Sequence, residues 1–136
     1  MASASSSASA LNTKTHLLDL EDPKQIIPRL CAHFYHLGWV SGTGGGLSIS
    51  SQDRVYVAPS GVQKELIRQE DIFTLNLDGV LIKAPRSSTP ERPLKQSECT
   101  PLFLIAYQTR KAGAVIHSHH ISCSILSQII QGNEFK

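Results

Sequence analysis

The sequence predicts an α/β fold in which helices flank a mixed, largely antiparallel sheet. Three observations lead to this prediction. Apolar residues recur at helical spacing in three segments, short alternating segments are paired across two tight turns, and a short apolar run follows a glycine. Residues typical of caps and turns bound most of these segments.

The first helix is predicted to begin after Asp22 and to stop at Gly38. Asp22 is a typical N-cap, Pro23 suits the first helical position, and glycine is the usual residue just past a helix end. The apolar residues between these bounds recur at helical spacing: Ile26, Ile27, Leu30, Cys31, Phe34 and Leu37.

Two further helices are predicted in the second half of the chain. Thr100 is the expected cap of one helix, Pro101 its first residue, and the helix continues over Leu102–Arg110. The other is expected over Ile121–Ile130. Between them, Gly113 ends the helical pattern before Ala114–His117, which is predicted to be a short buried strand.

Two hairpins account for the remaining strands. Leu47–Ser50 and Arg54–Ala58 alternate across a three-residue turn, and Ile72–Leu77 and Val80–Ile82 flank an Asp-Gly pair. The run 84–93 contains three prolines, which indicates a surface loop.

Composition restricts the class of protein. A chain of 136 residues suits one domain, and a net charge of +2 is too small to predict a nucleic-acid partner. No apolar run is long enough for a membrane span, so no membrane partner is expected. The three cysteines form no CxxC pair, which favours a reducing, cytoplasmic location. Residues 1–21 are expected to be a disordered Ala/Ser-rich tail, and 22–136 the folded part.

His117 and His119 form the sharpest candidate site. Side chains two apart on a strand project from the same face, so both imidazoles can reach one metal ion. A catalytic zinc usually takes three protein ligands, and this motif supplies two. Two ordinary histidines at a strand end are an equally good interpretation of the spacing alone.

Two glycine-containing segments are candidates for anion binding. The run 41–46, with Gly44 and Gly45, could turn backbone N–H groups towards a phosphate or could be a plain turn. Ser60-Gly61 followed by Lys64 offers a hydroxyl, an amide and an ammonium, although a turn followed by a solvated lysine is common.

Cys99 precedes the predicted second helix, where the positive end of a helix dipole favours the thiolate. Cys31 falls on an apolar helical face, as a buried inert thiol would. Cys123, four residues after His119, could be a metal ligand, although helix packing is the more ordinary role.

Four segments in this order resemble the methylthioribulose-1-phosphate dehydratases, a family of the class II aldolase/adducin-like superfamily. They are IPRLCAHFYHLGWVSGTGGGLSIS, YVAPSGVQKE, KQSECTPLFLIAY and GAVIHSHH. The resemblance implies a class II aldolase-like layered fold and a homo-oligomer that acts on a sugar phosphate. The implied reaction is the zinc-dependent dehydration of 5-methylthioribulose 1-phosphate in methionine salvage.

By this resemblance, His117 and His119 correspond to two of three zinc ligands and Cys99 to a residue of the substrate pocket. Gly44, Gly45, Ser60, Gly61 and Lys64 fall in segments used around the sugar phosphate.

The general acid/base Glu and the third zinc His of the family lie beyond Lys136, so no catalytic residue is expected within this chain. Glu134 is in the wrong position to replace the Glu. The expectation is therefore the N-terminal part of a dehydratase. A non-catalytic subunit that pairs with full-length enzyme is the alternative, and an aldolase or epimerase is disfavoured by the SECTPLF segment.

Overall fold

The computed structural model describes residues 22–130. The predicted tail 1–21 and Glu134 lie outside the described residues. Three helices and five strands follow one another along the chain: α1 (Pro23–His36), β1 (Gly46–Ser51), β2 (Arg54–Val57), β3 (Phe73–Asn76), β4 (Leu81–Lys83), α2 (Thr100–Arg110), β5 (Ala114–His117) and α3 (Ile121–Ile129). Short 3-10 turns at Lys64–Leu66 and Gln69–Asp71 lead into β3.

The strands form one sheet in the order β4-β3-β2-β1-β5. All four pairings among these described strands are antiparallel, so the parallel component of the expected mixed sheet is not among them. The β1–β2 hairpin turns through Gln52 and Asp53, which both have positive φ angles of 51° and 58°. Two such residues are typical of the turn that matches strand twist.

The two faces of the sheet are covered by different helices. On one face Leu47 packs in a cluster with Ile27 and Phe34 of α1, and on the other Val55 packs with Phe103 of α2. Side chains alternate between these faces, as the two-residue period of a strand requires. The predicted layered α/β fold is therefore confirmed.

Capping agrees with the sequence at α1 and differs at α2. Asp22 accepts a hydrogen bond from the N–H of Lys24 at 2.9 Å, and Gly38 has a positive φ of 71° beyond the helix end. At α2 the N-cap is Cys99 rather than Thr100, whose hydroxyl instead donates to the Ser97 carbonyl at 2.6 Å. The predicted boundary was wrong by one residue because this bond draws Thr100 into the first turn.

β5 also departs from its prediction. It was expected to be buried, but it lies at the edge of the sheet and Ile116 is 47% exposed. Within residues 22–130, no helix is long and apolar enough to cross a membrane.

Candidate active site

The two histidines of the HSH motif lie together where β5 ends. Their ring centroids are 4.7 Å apart and the rings are inclined at 58°. The N–H of His119 and the hydroxyl of Ser118 both donate to the carbonyl of Trp39, at 2.8 and 3.0 Å. The segment after β5 is therefore held on the loop that precedes β1.

Gly44 and Gly45 bring the glycine-rich loop against these histidines. A Cβ on Gly44 would lie 2.6 Å from Nδ1 of His119, a distance that side chains do not tolerate. Gly45 has a φ of +78°, and its Cβ would lie 2.3 Å from Val40 and 3.0 Å from the His117 carbonyl. Glycine is required here so that the loop can pass close to the histidines.

Cys99 belongs to the same cluster. Its Sγ lies 3.1 Å from Nδ1 of His117, although the two residues are 18 positions apart in the chain. The hydroxyl of Ser97 accepts a hydrogen bond from the Cys99 N–H at 3.2 Å and so helps to fix the start of α2. Sequence reasoning missed Ser97, although serine side chains often bond a backbone N–H two residues further along the chain.

The electrostatics favour a neutral His117. Partial burial lowers the pKa of its imidazole, and electrostatic repulsion from His119 and Lys64 lowers it further. A neutral imidazole is the form that binds metal ions.

Lys64 is the buried cation of the site. Only 2% of its surface is exposed, and its ammonium donates to the carbonyls of Thr43 and Val62 at 2.9 and 3.0 Å. Burial lowers its pKa, while Cys31, Cys99 and Glu65 act in the opposite direction. The ammonium has three protons, and two of them join the glycine-rich loop to the segment before Lys64.

Ser60 and Gly61 lie in the turn that leads to Lys64. The N–H of Ser60 donates to the carbonyl of Lys95 at 2.9 Å, and these two residues form an isolated bridge. Gly61 has a φ of +69° and open space where a side chain would be. The bond between Ser60 and Lys95 therefore connects this turn to the segment that runs into Cys99 and α2.

Two imidazole donors side by side are ligands that a zinc ion accepts. Among residues 22–130, however, no group of three His, Cys, Asp or Glu side chains could hold a metal ion. From the described residues, His117 and His119 could therefore supply two ligands to a metal ion but not the three usual in a catalytic site. Cys123, for which helix packing is the more ordinary role, is exposed on α3.

The family model described as Class II Aldolase and Adducin N-terminal domain matches residues 25–136. The chain belongs to this family. The matched region includes the glycine-rich loop, Lys64, Cys99 and the HSH motif. The fold brings these residues together where β1 begins and β5 ends.

Curated relatives of this chain are named as dehydratases. The methylthioribulose-1-phosphate dehydratase of Homo sapiens is 50% identical over 118 residues, which are 87% of this chain and 48% of the relative. A probable methylthioribulose-1-phosphate dehydratase of Drosophila melanogaster is 49% identical over 120 residues, 88% of this chain and 51% of the relative. The chain thus spans about half the length of the curated relatives it matches.

Solved structures support the class II aldolase fold. An L-fuculose 1-phosphate aldolase aligns with a TM-score of 0.64 and 26% identity over 79% of this chain and 48% of that chain. The L-fuculose-1-phosphate aldolase from Thermus thermophilus aligns with a TM-score of 0.62 and 21% identity over 76% of this chain and 49% of that chain.

Proposed function

We propose that this chain carries one part of the active site of a zinc-dependent dehydratase. The reaction removes water from 5-methylthioribulose 1-phosphate to give 2,3-diketo-5-methylthiopentyl 1-phosphate, in methionine salvage from methylthioadenosine. The observation that carries the proposal is the cluster of His117, His119 and Cys99, in a chain 50% identical to a protein named methylthioribulose-1-phosphate dehydratase.

His117 and His119 would hold the zinc ion, which when bound acts as a Lewis acid on oxygens of the substrate. Contact with Cys99 occupies Nδ1 of His117, so the metal would take the other ring nitrogen. Cys99 would then line the pocket beside the ion.

The sugar phosphate would lie against the glycine-rich loop. Gly44 and Gly45 allow a close approach of backbone N–H groups, and Ser60 and Gly61 would add a hydroxyl and an amide. Two protons of the Lys64 ammonium already bind carbonyls. Lys64 would therefore attract the phosphate mainly through its positive charge.

Dehydration also needs a group that removes the proton beside the carbonyl and protonates the departing hydroxyl. We expect this general acid/base, a Glu, and the third zinc ligand in the half of the relatives that this chain does not match. A cytoplasmic homo-oligomer is the expected form of the complete enzyme.

The test compares the 136-residue chain with a completed chain, in which the unmatched half of the human relative is fused after Lys136. Dehydration of methylthioribulose 1-phosphate is measured with zinc present. We expect product from the completed chain and none from the 136-residue chain. Product from the 136-residue chain at an enzymatic rate would mean that other residues perform the proton transfer.

Substitutions in the completed chain test the metal role. His117→Ala should lower kcat/KM by more than about 100-fold, since loss of even an outer partner of a metal ligand costs up to that much. His33→Ala is the matched control, because His33 is exposed on α1. Equal activity of the two variants would argue against the proposed zinc site.

A second candidate function is a non-catalytic subunit that pairs with full-length enzyme. The observation that favours it is that the described residues contain no group of three His, Cys, Asp or Glu side chains that could hold a metal ion. An increase in activity or stability of full-length enzyme on mixing, without turnover by this chain, would support this alternative.

A further inference from the structure

The layer between α2 and the sheet contains a hydrogen-bonded pair of buried hydroxyl groups. The phenol oxygen of Tyr107 lies 2.6 Å from Oγ of Ser48, although the two residues are 59 positions apart in the chain. Ser48 is fully buried and Tyr107 is 4% exposed, in the cluster that contains Val55 and Phe103. Phenylalanine and alanine could fill most of the same space, so apolar packing alone does not explain the two hydroxyl groups.

This bond lies where three elements of the candidate site meet. Ser48 is on β1, shortly after the glycine-rich loop, and pairs on β5 with Val115, which is two residues before His117. Tyr107 is on α2, eight residues or about two helical turns after Cys99. The bond therefore joins α2 to the sheet beside the strand that carries His117.

The phenol also interacts with β5 itself. Burial raises the pKa of Tyr107, and its hydrogen bonds with Ser48 and with the backbone of Val115 act in the opposite direction. The phenol therefore keeps its proton at neutral pH. A single side chain of α2 thus bonds both of the strands between which the site is built.

A buried hydrogen bond fixes the position of α2 more closely than apolar contacts can. Apolar packing is non-directional, whereas a hydrogen bond weakens steeply as its distance or angle changes. If α2 slid or turned on the sheet, both hydroxyl groups would be left buried without a partner, which is costly. The 3.1 Å contact between Sγ of Cys99 and Nδ1 of His117 joins α2 to β5, so it depends on this position.

We propose that Tyr107 is a positioning residue of the candidate site. Its bond with Ser48 sets where α2 lies on β1 and β5, and so holds Cys99 against His117. Tyr107 acts through these two residues. The importance of this position for turnover rests on the proposed function, whereas the position itself can be tested without zinc or substrate.

The ring nitrogens of His117 report the contact directly. The ¹⁵N resonance of an imidazole nitrogen depends on its hydrogen-bond partner, so the 136-residue chain is labelled with ¹⁵N-histidine and measured at pH 8. Cys99→Ala gives the His117 resonances without the contact, and His117→Ala assigns them. Tyr107→Phe keeps the ring and removes the hydroxyl, and we expect it to move the His117 resonances towards their Cys99→Ala positions.

Ser48→Ala removes the same bond from the other side and should move the resonances in the same direction. It also serves as the test if Tyr107→Phe does not fold. The double variant should shift the resonances no further than the larger single effect, because both changes remove one interaction. Additive shifts would mean that the two hydroxyl groups act independently, and would overturn the proposal.

Two control variants separate positioning from general loss of stability. Thr109→Val removes a hydroxyl of α2 whose bond, to the Ile105 carbonyl at 2.7 Å, stays within the helix. Ile72→Val removes a methylene from a buried residue on the opposite face of the sheet, and urea unfolding measures its loss of stability. Neither should move the His117 resonances. Equal shifts in Ile72→Val and Tyr107→Phe, or unchanged resonances in a folded Tyr107→Phe chain, would overturn the proposal.

Turnover by the completed chain tests the catalytic consequence. Tyr107→Phe should lower kcat by at least about 10-fold, since small misplacements of reacting groups are costly. KM should change by less than about 3-fold, because Lys64 and its bonds to the glycine-rich loop are unaltered. Unchanged kcat despite shifted resonances would overturn the catalytic part of the proposal.

The positioning role and the proposed function fail separately. Resonances that shift as expected, in a completed chain that does not dehydrate methylthioribulose 1-phosphate, would leave the positioning role intact and overturn the proposed function. Dehydration by a completed chain whose His117 resonances and kcat tolerate Tyr107→Phe would do the reverse.

Discussion

Lys64 joins two segments of the site by the bonds of a single ammonium group. Its protons on the carbonyls of Thr43 and Val62 replace the water that burial removes. A buried charge is costly unless it is bonded in this way, and the lowered pKa of Lys64 reflects that cost. Lys64 therefore holds the glycine-rich loop in its conformation. In the proposed function its positive charge would also attract the phosphate.

Replacing Lys64 should measure this structural contribution. Lys64→Met keeps the aliphatic length but leaves two carbonyls without their donor, so we expect the free energy of unfolding to fall by about 1–3 kcal/mol. Urea unfolding at pH 7 measures the change. Lys83→Met, at an exposed position of β4, should stay within about 0.5 kcal/mol of the original chain. Equal stability of the two variants would show that the carbonyl bonds do not hold the loop.

The buried thiol of Cys31 makes the free energy of unfolding depend on pH in the alkaline range. Burial raises the pKa of its thiol from 9.0 to about 11, and the nearby Lys64 charge only partly opposes this. The folded state thus keeps the proton between pH 9 and 11 while the unfolded chain loses it. The stability contributed by Cys31 is present in full below pH 9 and is lost as the pH rises towards 11.

The difference in unfolding free energy between the original chain and Cys31→Ala should therefore shrink from pH 8 to pH 10.5. Comparing the two proteins at each pH removes the contributions of other titrating groups. Cys123→Ala is the matched control, because it removes a thiol that is exposed and not buried. A constant difference for Cys31→Ala would contradict the assignment.

At the scale of elements, a buried carboxylate holds the proline-rich loop. Asp71 is fully buried and accepts hydrogen bonds from the N–H of Arg68 at 2.8 Å and from the hydroxyl of Ser87. The guanidinium of Arg92 lies 3.9 Å from the same carboxylate. The Asp71 side chain thus contacts two residues of the loop 84–93 and holds the loop against the turn that leads into β3.

Asp71→Ala should release that loop. The change removes the acceptor of the Arg68 N–H and leaves the Ser87 hydroxyl only the carbonyl of Glu70, at a cost of about 1–3 kcal/mol in the free energy of unfolding. Urea unfolding gives the cost, and hydrogen exchange over residues 84–93 should become faster. Glu70→Gln is the control because it keeps the Glu70 carbonyl that Ser87 bonds and changes only a carboxylate that lies 3.9 Å from the exposed Arg68. Unchanged exchange in the Asp71 variant would mean that other contacts position the loop.

The elements themselves could largely be predicted from the sequence because their signals are local. Asp22 and Pro23 mark the start of α1, and the Asp78-Gly79 pair marks a hairpin that the structure contains. Burial of β5 was predicted wrongly because an apolar run does not reveal whether a strand is central or at an edge. That property depends on which strands pair, and therefore on the whole sheet.

The sequence could predict only part of the candidate site. His117 and His119 could be paired from their spacing, and the structure brings their rings together. The contact of Cys99 with His117 and the burial of Lys64 could not be predicted from composition or periodicity. Both depend on how α2 and the glycine-rich loop pack on the sheet, which joins residues distant in sequence.

At the scale of the whole molecule, the two proposed zinc ligands and the exposed helix α3 lie at the same end of the sheet. His117 ends β5, His119 follows it, and α3 begins two residues later. A polypeptide that covers α3 would therefore lie beside the two histidines. Residues that cover α3 would thus be placed to supply the third zinc ligand that the proposed function needs.

Zinc affinity tests the proposed metal site. The 136-residue chain should lose zinc on dialysis, because two imidazoles supply one ligand fewer than the three usual in a catalytic site. The completed chain should keep about one zinc per subunit. Metal content by atomic absorption after dialysis distinguishes these results, and the double variant His117→Ala with His119→Ala should abolish retention in the completed chain. His33→Ala should retain zinc, since His33 is exposed on α1 away from the motif. One-to-one retention by the 136-residue chain would show that this chain already holds a complete metal site.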